Sequence, residues 1–89
     1  MTEYIIELYV SRSDERDVRQ GAERARLAAE EQTRLGTPVR YLRSIYVPED
    51  ETCFLLFDAC SADAVRATAL LAALPFERVS TAIENEALP

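Results

Sequence analysis

VRYLRSIYVPEDETCFLLFD, residues 39–58, predicts a β-hairpin, and this hairpin decides the fold. Residues 39–47 and 52–58 are rich in β-branched and aromatic side chains, which favour strands. The polar segment PEDE at 48–51 has the length of a hairpin turn. The two strands should therefore pair antiparallel and lie side by side in a sheet.

A helix is predicted on each side of this hairpin. Ser13 or Asp14 is the expected cap of the first helix, and Gly36 its expected end. Ser61 is the expected cap of the second helix, which Pro75 terminates. The expected buried residues recur at helical spacing: Val18, Ala22, Ala25 and Ala29 in the first helix, and Val65, Ala69, Ala72 or Ala73, Ala62 and Leu70 in the second.

A strand at each end of the chain completes the pattern. Residues 4–10 alternate, with one face that is apolar and one that is mixed. The apolar face comprises Tyr4, Ile6, Leu8 and Val10, and the mixed face Glu3, Ile5, Glu7 and Tyr9. Residues 76–84, with Val79 and Ile83, predict a weaker last strand, and residues 85–89 a tail.

The order strand, helix, strand, strand, helix, strand indicates a ferredoxin-like α+β sandwich, βαββαβ, as one domain over residues 1–89. Right-handed crossovers then give a four-stranded antiparallel sheet ordered 4-1-3-2, with both helices on one face. The other face has no cover from the chain itself, and Ile5 and Tyr9 would lie on it. Because such a face is a poor surface to leave in water, we expect a homodimer through it or a bound ligand.

The composition narrows the classes of function. The 16 acidic residues outnumber the 10 basic ones, and the net charge is −6. A nucleic-acid binder normally has the opposite sign, because Lys and Arg must neutralise phosphates, so no nucleic-acid partner is expected. No apolar run approaches the roughly 20 residues of a membrane span, and Met1-Thr2-Glu3 lacks the basic start of a signal peptide. We therefore expect a cytoplasmic protein with no membrane partner.

The two cysteines have different expected environments. Cys53 falls inside the third strand and Cys60 just after its end, on the order of 20 Å apart, which is too far for a disulfide. Cys53 lies among apolar residues and is expected to be a buried thiol. Cys60 is a candidate reactive thiol, because the nearby helix N-terminus would stabilise its thiolate. Asp58 and Asp63 oppose that effect, and the chain has no His to act as a base.

Four side chains form the candidate ligand site. Glu7 and Tyr9 point away from the helices if the apolar half of their strand faces them. Arg43 should point the same way, because burying an unpaired guanidinium is costly, and strict alternation brings Tyr41 with it. The first and second strands lie on either side of the third and are about 9–10 Å from each other, so long Glu and Arg side chains can meet. Alternatively, Glu7 and Arg43 are an ion pair within a dimer interface.

Several segments resemble a family of small bacterial domains of unassigned function. They are residues 36–44, 47–54, 61–65 and 74–79, of which the run Pro-Glu-Asp-Glu-Thr-Cys-Phe is the most specific. Members of that family are often labelled nickel-binding, after a dimeric ferredoxin-like relative. The resemblance covers nearly the whole chain and implies the ferredoxin-like fold, a homodimer and nickel as the candidate metal.

The composition argues against nickel as a cofactor. Imidazole is a favoured nickel donor, and the chain contains no His. Cys, carboxylates, carbonyls and water are the donors that remain. No metal-ligating residues are predicted, and no cofactor is assigned.

The leading hypothesis is a non-catalytic small-ligand- or metal-binding protein that uses the sheet face or a dimer cleft. An alternative is a cofactor-free enzyme of the dimeric α/β-barrel type, an oxygenase, isomerase or cyclase acting on an apolar or aromatic small molecule. That enzyme needs a closed pocket on which Glu7, Tyr41 or Arg43 converge. A third hypothesis is an interaction module whose exposed sheet or edge strand docks another protein.

Overall fold

A computed structural model of the protein describes residues 1–83. Its strands and helices follow the predicted βαββαβ order: β1 (Thr2–Tyr9), α1 (Arg16–Arg34), β2 (Val39–Val47), β3 (Thr52–Ala59), α2 (Ala62–Leu71) and β4 (Arg78–Ala82). Short 3₁₀ turns at Arg12–Asp14 and Pro48–Asp50 lie before α1 and between β2 and β3. The predicted tail, residues 85–89, and the last residue of the predicted fourth strand lie outside the described residues.

The strands form an antiparallel sheet in the order β2-β3-β1-β4. This is the predicted order 4-1-3-2 viewed from the opposite edge. Strands β1 and β3 are central, and β2 and β4 are the edges. Helices α1 and α2 supply the second layer, and their buried residues join those of the sheet in a shared core. The ferredoxin-like α+β fold is confirmed.

The core contains one side of each central strand. Ile6 is fully buried and Leu8 nearly so, as the alternation in β1 predicts. Leu55 and Phe57 of β3 are buried on the same side, since Leu55 is the register partner of Ile6. Small residues cover them from the helices: Ala25, Ala28 and Ala29 of α1, and Ala64, Val65 and Ala69 of α2. Their short side chains let the helices pack close to the sheet.

The end of α1 follows the prediction. Gly36 has a φ of 106°, in the left-handed region where a residue with a Cβ is strained. Its N–H donates to the carbonyl of Thr33 at 3.1 Å, and the N–H of Thr37 donates to the carbonyl of Gln32 at 2.8 Å. These two bonds are the Schellman arrangement, which satisfies the last carbonyls of the helix.

The start of α1 differs from the prediction. Ser13 and Asp14 do not cap the helix, because both lie in the 3₁₀ turn that precedes it. The hydroxyl of Ser11 accepts the N–H of Ser13 at 3.3 Å and caps that turn instead. Helix α1 then begins at Arg16 with no side-chain cap. The turn and the helix share a polar composition, so the sequence pattern alone does not separate them.

Helix α2 begins where predicted and differs in its buried stripe. The hydroxyl of Ser61 accepts the N–H of Ala64 at 3.1 Å. Leu70, predicted to point inward, is 71% exposed, and Thr68 is fully buried. Burial of Thr68 is tolerated because its hydroxyl donates to the carbonyl of Ala64 at 2.8 Å. The methyl group of Thr68 can therefore pack where a polar residue was not expected.

Strand β4 is shorter than the predicted strand over residues 76–84. Phe76, which precedes the strand, and Val79 within it pack against the core, and Ile83 is 80% exposed beyond its end.

No helix in the described part of the chain is long and apolar enough to cross a membrane.

Candidate functional site on the open sheet face

One face of the sheet packs against α1 and α2, and the other, here named the open face, does not. Paired residues of antiparallel strands point to the same side, so the register assigns the members of the open face. They are Glu3, Ile5, Glu7 and Tyr9 of β1, Arg40, Arg43, Ile45 and Val47 of β2, Thr52, Phe54, Leu56 and Asp58 of β3, and Arg78, Ser80 and Ala82 of β4. The structure thus places three of the four candidate ligand residues, Glu7, Tyr9 and Arg43, on this face.

The centre of the open face is apolar. Leu56 is 6% exposed, and its register partners Ile5 and Arg43 lie on either side of it. Phe54 is half-buried, and Ile45 beside it is 44% exposed. A contiguous apolar centre on a sheet face is a surface that proteins commonly use for association.

Tyr41 lies on the opposite side of the sheet from Arg43. Tyr41 pairs with Phe57 and Arg43 with Leu56, so Leu42 is an extra residue and β2 contains a β-bulge. The Tyr41 ring packs against the buried Phe57 ring with centroids 5.8 Å apart. The prediction that Tyr41 joins Arg43 on the open face is wrong, because the bulge interrupts the alternation on which it depended.

Glu7 pairs with Arg78 rather than with Arg43. The Nε of Arg78 donates to Oε2 of Glu7 at 2.8 Å, and the two residues are register partners. No ion pair between the described residues includes Arg43. The predicted contact between Glu7 and Arg43 is therefore wrong. Strand β4 offers a guanidinium on the strand adjacent to Glu7, and β2 lies two strands away.

Sequence reasoning missed the charged residues around the apolar centre. Arg78 borders it on β4, and Arg40 lies on β2 with its Nη2 3.8 Å from Oδ2 of Asp58. The predicted strand order places the fourth strand next to the first, but the register that pairs Arg78 with Glu7 was not predicted. Asp58 is part of the sheet as well, since it is the register partner of Arg40.

Tyr9 is tied to the turn between β2 and β3. Its hydroxyl donates to Oε2 of Glu51 at 3.4 Å, and the same oxygen accepts the backbone N–H of Arg12 at 3.0 Å. The bond from Arg12 holds the pKa of Glu51 below its ordinary value. The carbonyl of Glu51 also accepts the N–H of Val10 at 2.9 Å. Glu51 thereby fastens the end of β1 to the hairpin, and the Tyr9 ring remains 58% exposed.

Both cysteines are free thiols. Cys53 is buried, and its burial raises the pKa of the thiol, as in an unreactive core cysteine. Cys60 is exposed and comes directly before Ser61, the cap of α2. It lies beyond the end of β3 and is not part of the set on the open face.

The fold and the open face together define a class, a small ferredoxin-like α+β domain in which α1 and α2 cover one face of the sheet and leave the other. A family model described as "Nickel responsive protein SCO4226-like" matches residues 4–81, so the chain belongs to this family. This confirms the resemblance inferred from residues 36–44, 47–54, 61–65 and 74–79. No curated protein and no solved structure matches the chain.

The donor groups of the described residues do not fit a nickel site. Within residues 1–83, no group of three or more Cys, Asp or Glu side chains is placed to hold a metal ion. The whole sequence contains no His, the side chain that would supply the favoured imidazole donor. No metal chemistry follows from these residues.

The enzyme hypothesis requires a closed pocket on which Glu7, Tyr41 or Arg43 converge, and the structure does not bring these three side chains together. Glu7 is held by Arg78, and Tyr41 packs on Phe57 on the core side. Arg43 shares the open face with Glu7, but no ion pair among the described residues joins the two. An acid, a hydroxyl and a guanidinium around one substrate are therefore not assembled from this set.

Proposed function

We propose that the protein is a non-catalytic binding protein that acts as a homodimer, with the open faces of two copies turned toward each other. The observation that carries the proposal is the apolar centre of the open face, bordered by charged residues. Protein interfaces commonly have this anatomy, a dry core with a polar rim. Membership of a family named for nickel responsiveness is consistent with a binding protein rather than an enzyme.

A second copy of the chain is the simplest cover for this face. A domain of 89 residues buries only about 60–65% of its unfolded surface, so its stability is small. Covering Ile45 and its neighbours would stabilise the dimer by about 25 cal/mol for each Å² of apolar surface removed from water. A two-fold axis matches the same patch with itself, and no other protein is required.

Arg43 is the residue that we propose for ligand recognition within this dimer. Its guanidinium has no ion-pair partner among the described residues and lies next to the apolar Leu56. A guanidinium at the edge of a dry cleft favours a carboxylate, a phosphate or a carbonyl group. The proposed ligand is a small molecule with an apolar body and one such group. The exposed Tyr9 ring offers a further surface for its apolar body.

Nickel is not the ligand that we propose for this chain. The family name associates members with a response to nickel, but the donor set described above does not fit the ion. We therefore propose the homodimer and do not propose a bound nickel ion, because the described residues do not fit one.

Native mass spectrometry of the untagged protein, before and after treatment with a chelator, tests both parts. The expected result is a dimer that carries a small-molecule mass and keeps it after chelation. Loss of the mass to the chelator would restore a metal ligand and overturn the organic ligand. A bare dimer would overturn the co-purifying ligand alone, and a bare monomer would overturn the dimer.

A matched pair of variants locates the interface. Ile45→Glu places a charge in the apolar centre of the open face and is expected to dissociate the dimer. Ile83→Glu makes the same change at a residue that is 80% exposed beyond β4, and it should leave the dimer intact. Circular dichroism verifies that both variants fold. Equal dimer content in the two variants would contradict an interface on the open face.

A further inference from the structure

A second apolar surface lies on the helical side of the molecule, between α1 and α2. Ala28 and Ala72 are each 6% exposed and lie at its base, and Leu27 and Leu71 beside them are 51% and 53% exposed. The depression has a volume of about 280 Å³. We call it the helix groove.

Charged residues of opposite sign flank the helix groove along α1. Arg24 and Glu31 both line it, and they lie seven residues apart with Leu27 and Ala28 midway between them. Seven residues are two helical turns, about 10 Å, so these four residues share one side of α1. The order along the helix is therefore positive, apolar, negative.

We propose that a second copy of this chain packs its own helix groove against this one, with the two α1 helices antiparallel. The two-fold axis would pass near Leu27 and Ala28. Arg24 of each copy then lies opposite Glu31 of the other, and each Leu27 covers the small residues of the facing groove. A parallel arrangement would oppose Arg24 with Arg24 and Glu31 with Glu31. The charge pattern is self-complementary in the antiparallel order alone.

The existing ion pairs on α1 leave Arg24 available for this contact. Arg26 binds Glu23 and Glu30, and Arg34 binds Glu31. No ion pair in residues 1–83 includes Arg24. A second guanidinium that reaches Glu31 forms a three-charge network with Arg34. Such a network is worth more than an isolated exposed pair.

The helix groove and the open face are on opposite layers of the sandwich, so the two contacts do not compete. Two different two-fold contacts on one chain build a tetramer when their axes close, and a longer assembly when they do not. This inference goes beyond the proposed dimer and does not depend on it. A contact of this size is weak on its own, so assembly is measured up to about 1 mM protein.

Sedimentation velocity and native mass spectrometry of four helix variants test the proposal. Leu27→Glu and Arg24→Glu, each made singly, are expected to halve the fraction of protein found in oligomers relative to the wild-type chain. The double variant Arg24→Glu/Glu31→Arg reverses both charges and is expected to restore it. Leu70→Glu is the matched control, because Leu70 is 71% exposed on α2 but does not line the groove, and it should change nothing.

Comparison with Ile45→Glu separates this contact from the one on the open face. A tetramer or larger assembly that falls to dimers with either Leu27→Glu or Ile45→Glu supports both contacts. A dimer that Leu27→Glu dissociates and Ile45→Glu does not supports the helix groove and removes the open-face dimer. An assembly unchanged by Leu27→Glu, an equal loss in Leu70→Glu, or a wild-type monomer would overturn the inference.

Discussion

The ring of Tyr41 packs edge-on against the ring of Phe57, with an angle of 68° between their planes. This pair forms because the β-bulge at Leu42 places Tyr41 on the core side and Arg43 on the open face. Tyr41 therefore belongs to the packing of the domain, and Arg43 remains a candidate for ligand binding. Tyr41 and Arg43 are two positions apart in the sequence, and we expect substitutions of Tyr41 to change stability and substitutions of Arg43 to change ligand binding.

Truncation of Tyr41 is expected to reduce stability. Tyr41→Ala removes an aromatic pair and leaves a gap beside Phe57, so we expect a loss of about 2–3 kcal/mol in the free energy of unfolding. Urea unfolding of the variant measures this loss. Tyr9→Ala is the control, because the Tyr9 ring is 58% exposed, and it should cost less than about 1 kcal/mol. Equal losses in the two variants would contradict the assignment of Tyr41 to the core.

The end of α2 can be stabilised by a single substitution. Ala73 has a φ of 56° and closes a Schellman arrangement in which the N–H of Leu74 donates to the carbonyl of Ala69 at 3.0 Å. A residue with a Cβ is strained there, so Ala73→Gly should add about 0.5–1 kcal/mol of stability.

Thermal and urea unfolding measure the effect of Ala73→Gly. Ala67→Gly provides the contrast, since Ala67 is an exposed residue inside α2 where glycine costs about 1 kcal/mol. The two glycines should thus shift the melting temperature in opposite directions. A decrease with both would show that the left-handed conformation of Ala73 carries no strain.

The acid sensitivity of the domain should depend on Glu51. The backbone N–H of Arg12 holds the pKa of Glu51 below its ordinary value. The folded state therefore favours the ionised carboxylate more than the unfolded state does. This contribution is fully present above the ordinary Glu pKa, about 4.3, and is lost as the pH falls through the lower folded value.

The test of this pH dependence is urea unfolding of wild type and Glu51→Gln at a series of pH values. The wild-type advantage is expected to shrink as the pH falls below about 4.3. Glu49→Gln in the same turn is the control, because Glu49 is exposed and its side chain makes no hydrogen bond with the described residues. A Glu51→Gln difference that is constant with pH would argue against the bond from Arg12.

The ion pair of Glu7 and Arg78 should be weak and sensitive to salt. Arg78 has a side chain that is 71% exposed, so a double-mutant cycle with Glu7→Gln and Arg78→Gln is expected to give a coupling of about 0.2–1 kcal/mol. The coupling should fall as ionic strength rises. Arg40 and Asp58, at 3.8 Å, serve as the looser reference pair. A coupling that does not change with salt would be inconsistent with a pair at the rim of the open face.

Much of the fold was predictable because its signals are local. The alternation around Ile6 and Leu8 reports a half-buried strand without reference to the rest of the chain. Gly36 ends α1 and Ser61 starts α2 through hydrogen bonds that span only a few residues. The turn that precedes α1 was missed because its composition matches that of the helix.

The candidate site was less predictable, because its membership depends on strand pairing. Glu7 was expected to contact Arg43, and it contacts Arg78 from a strand that is 71 residues away in the chain. Tyr41 was expected beside Arg43, and one extra residue at position 42 turned it to the core. Neither outcome is encoded in the composition of the segments themselves.

The sequence by itself determined the order of the elements, the hairpin, the core side of β1 and the exclusion of imidazole as a metal donor. These properties depend on residue type and short periodicity, which act within a few residues of each other. The tertiary structure alone decided the bulge at Leu42, the partner of Glu7 and the side of the sheet that Tyr41 occupies. Each of these is a choice of register between strands, and it is set by which pairing buries the most apolar surface across the whole domain.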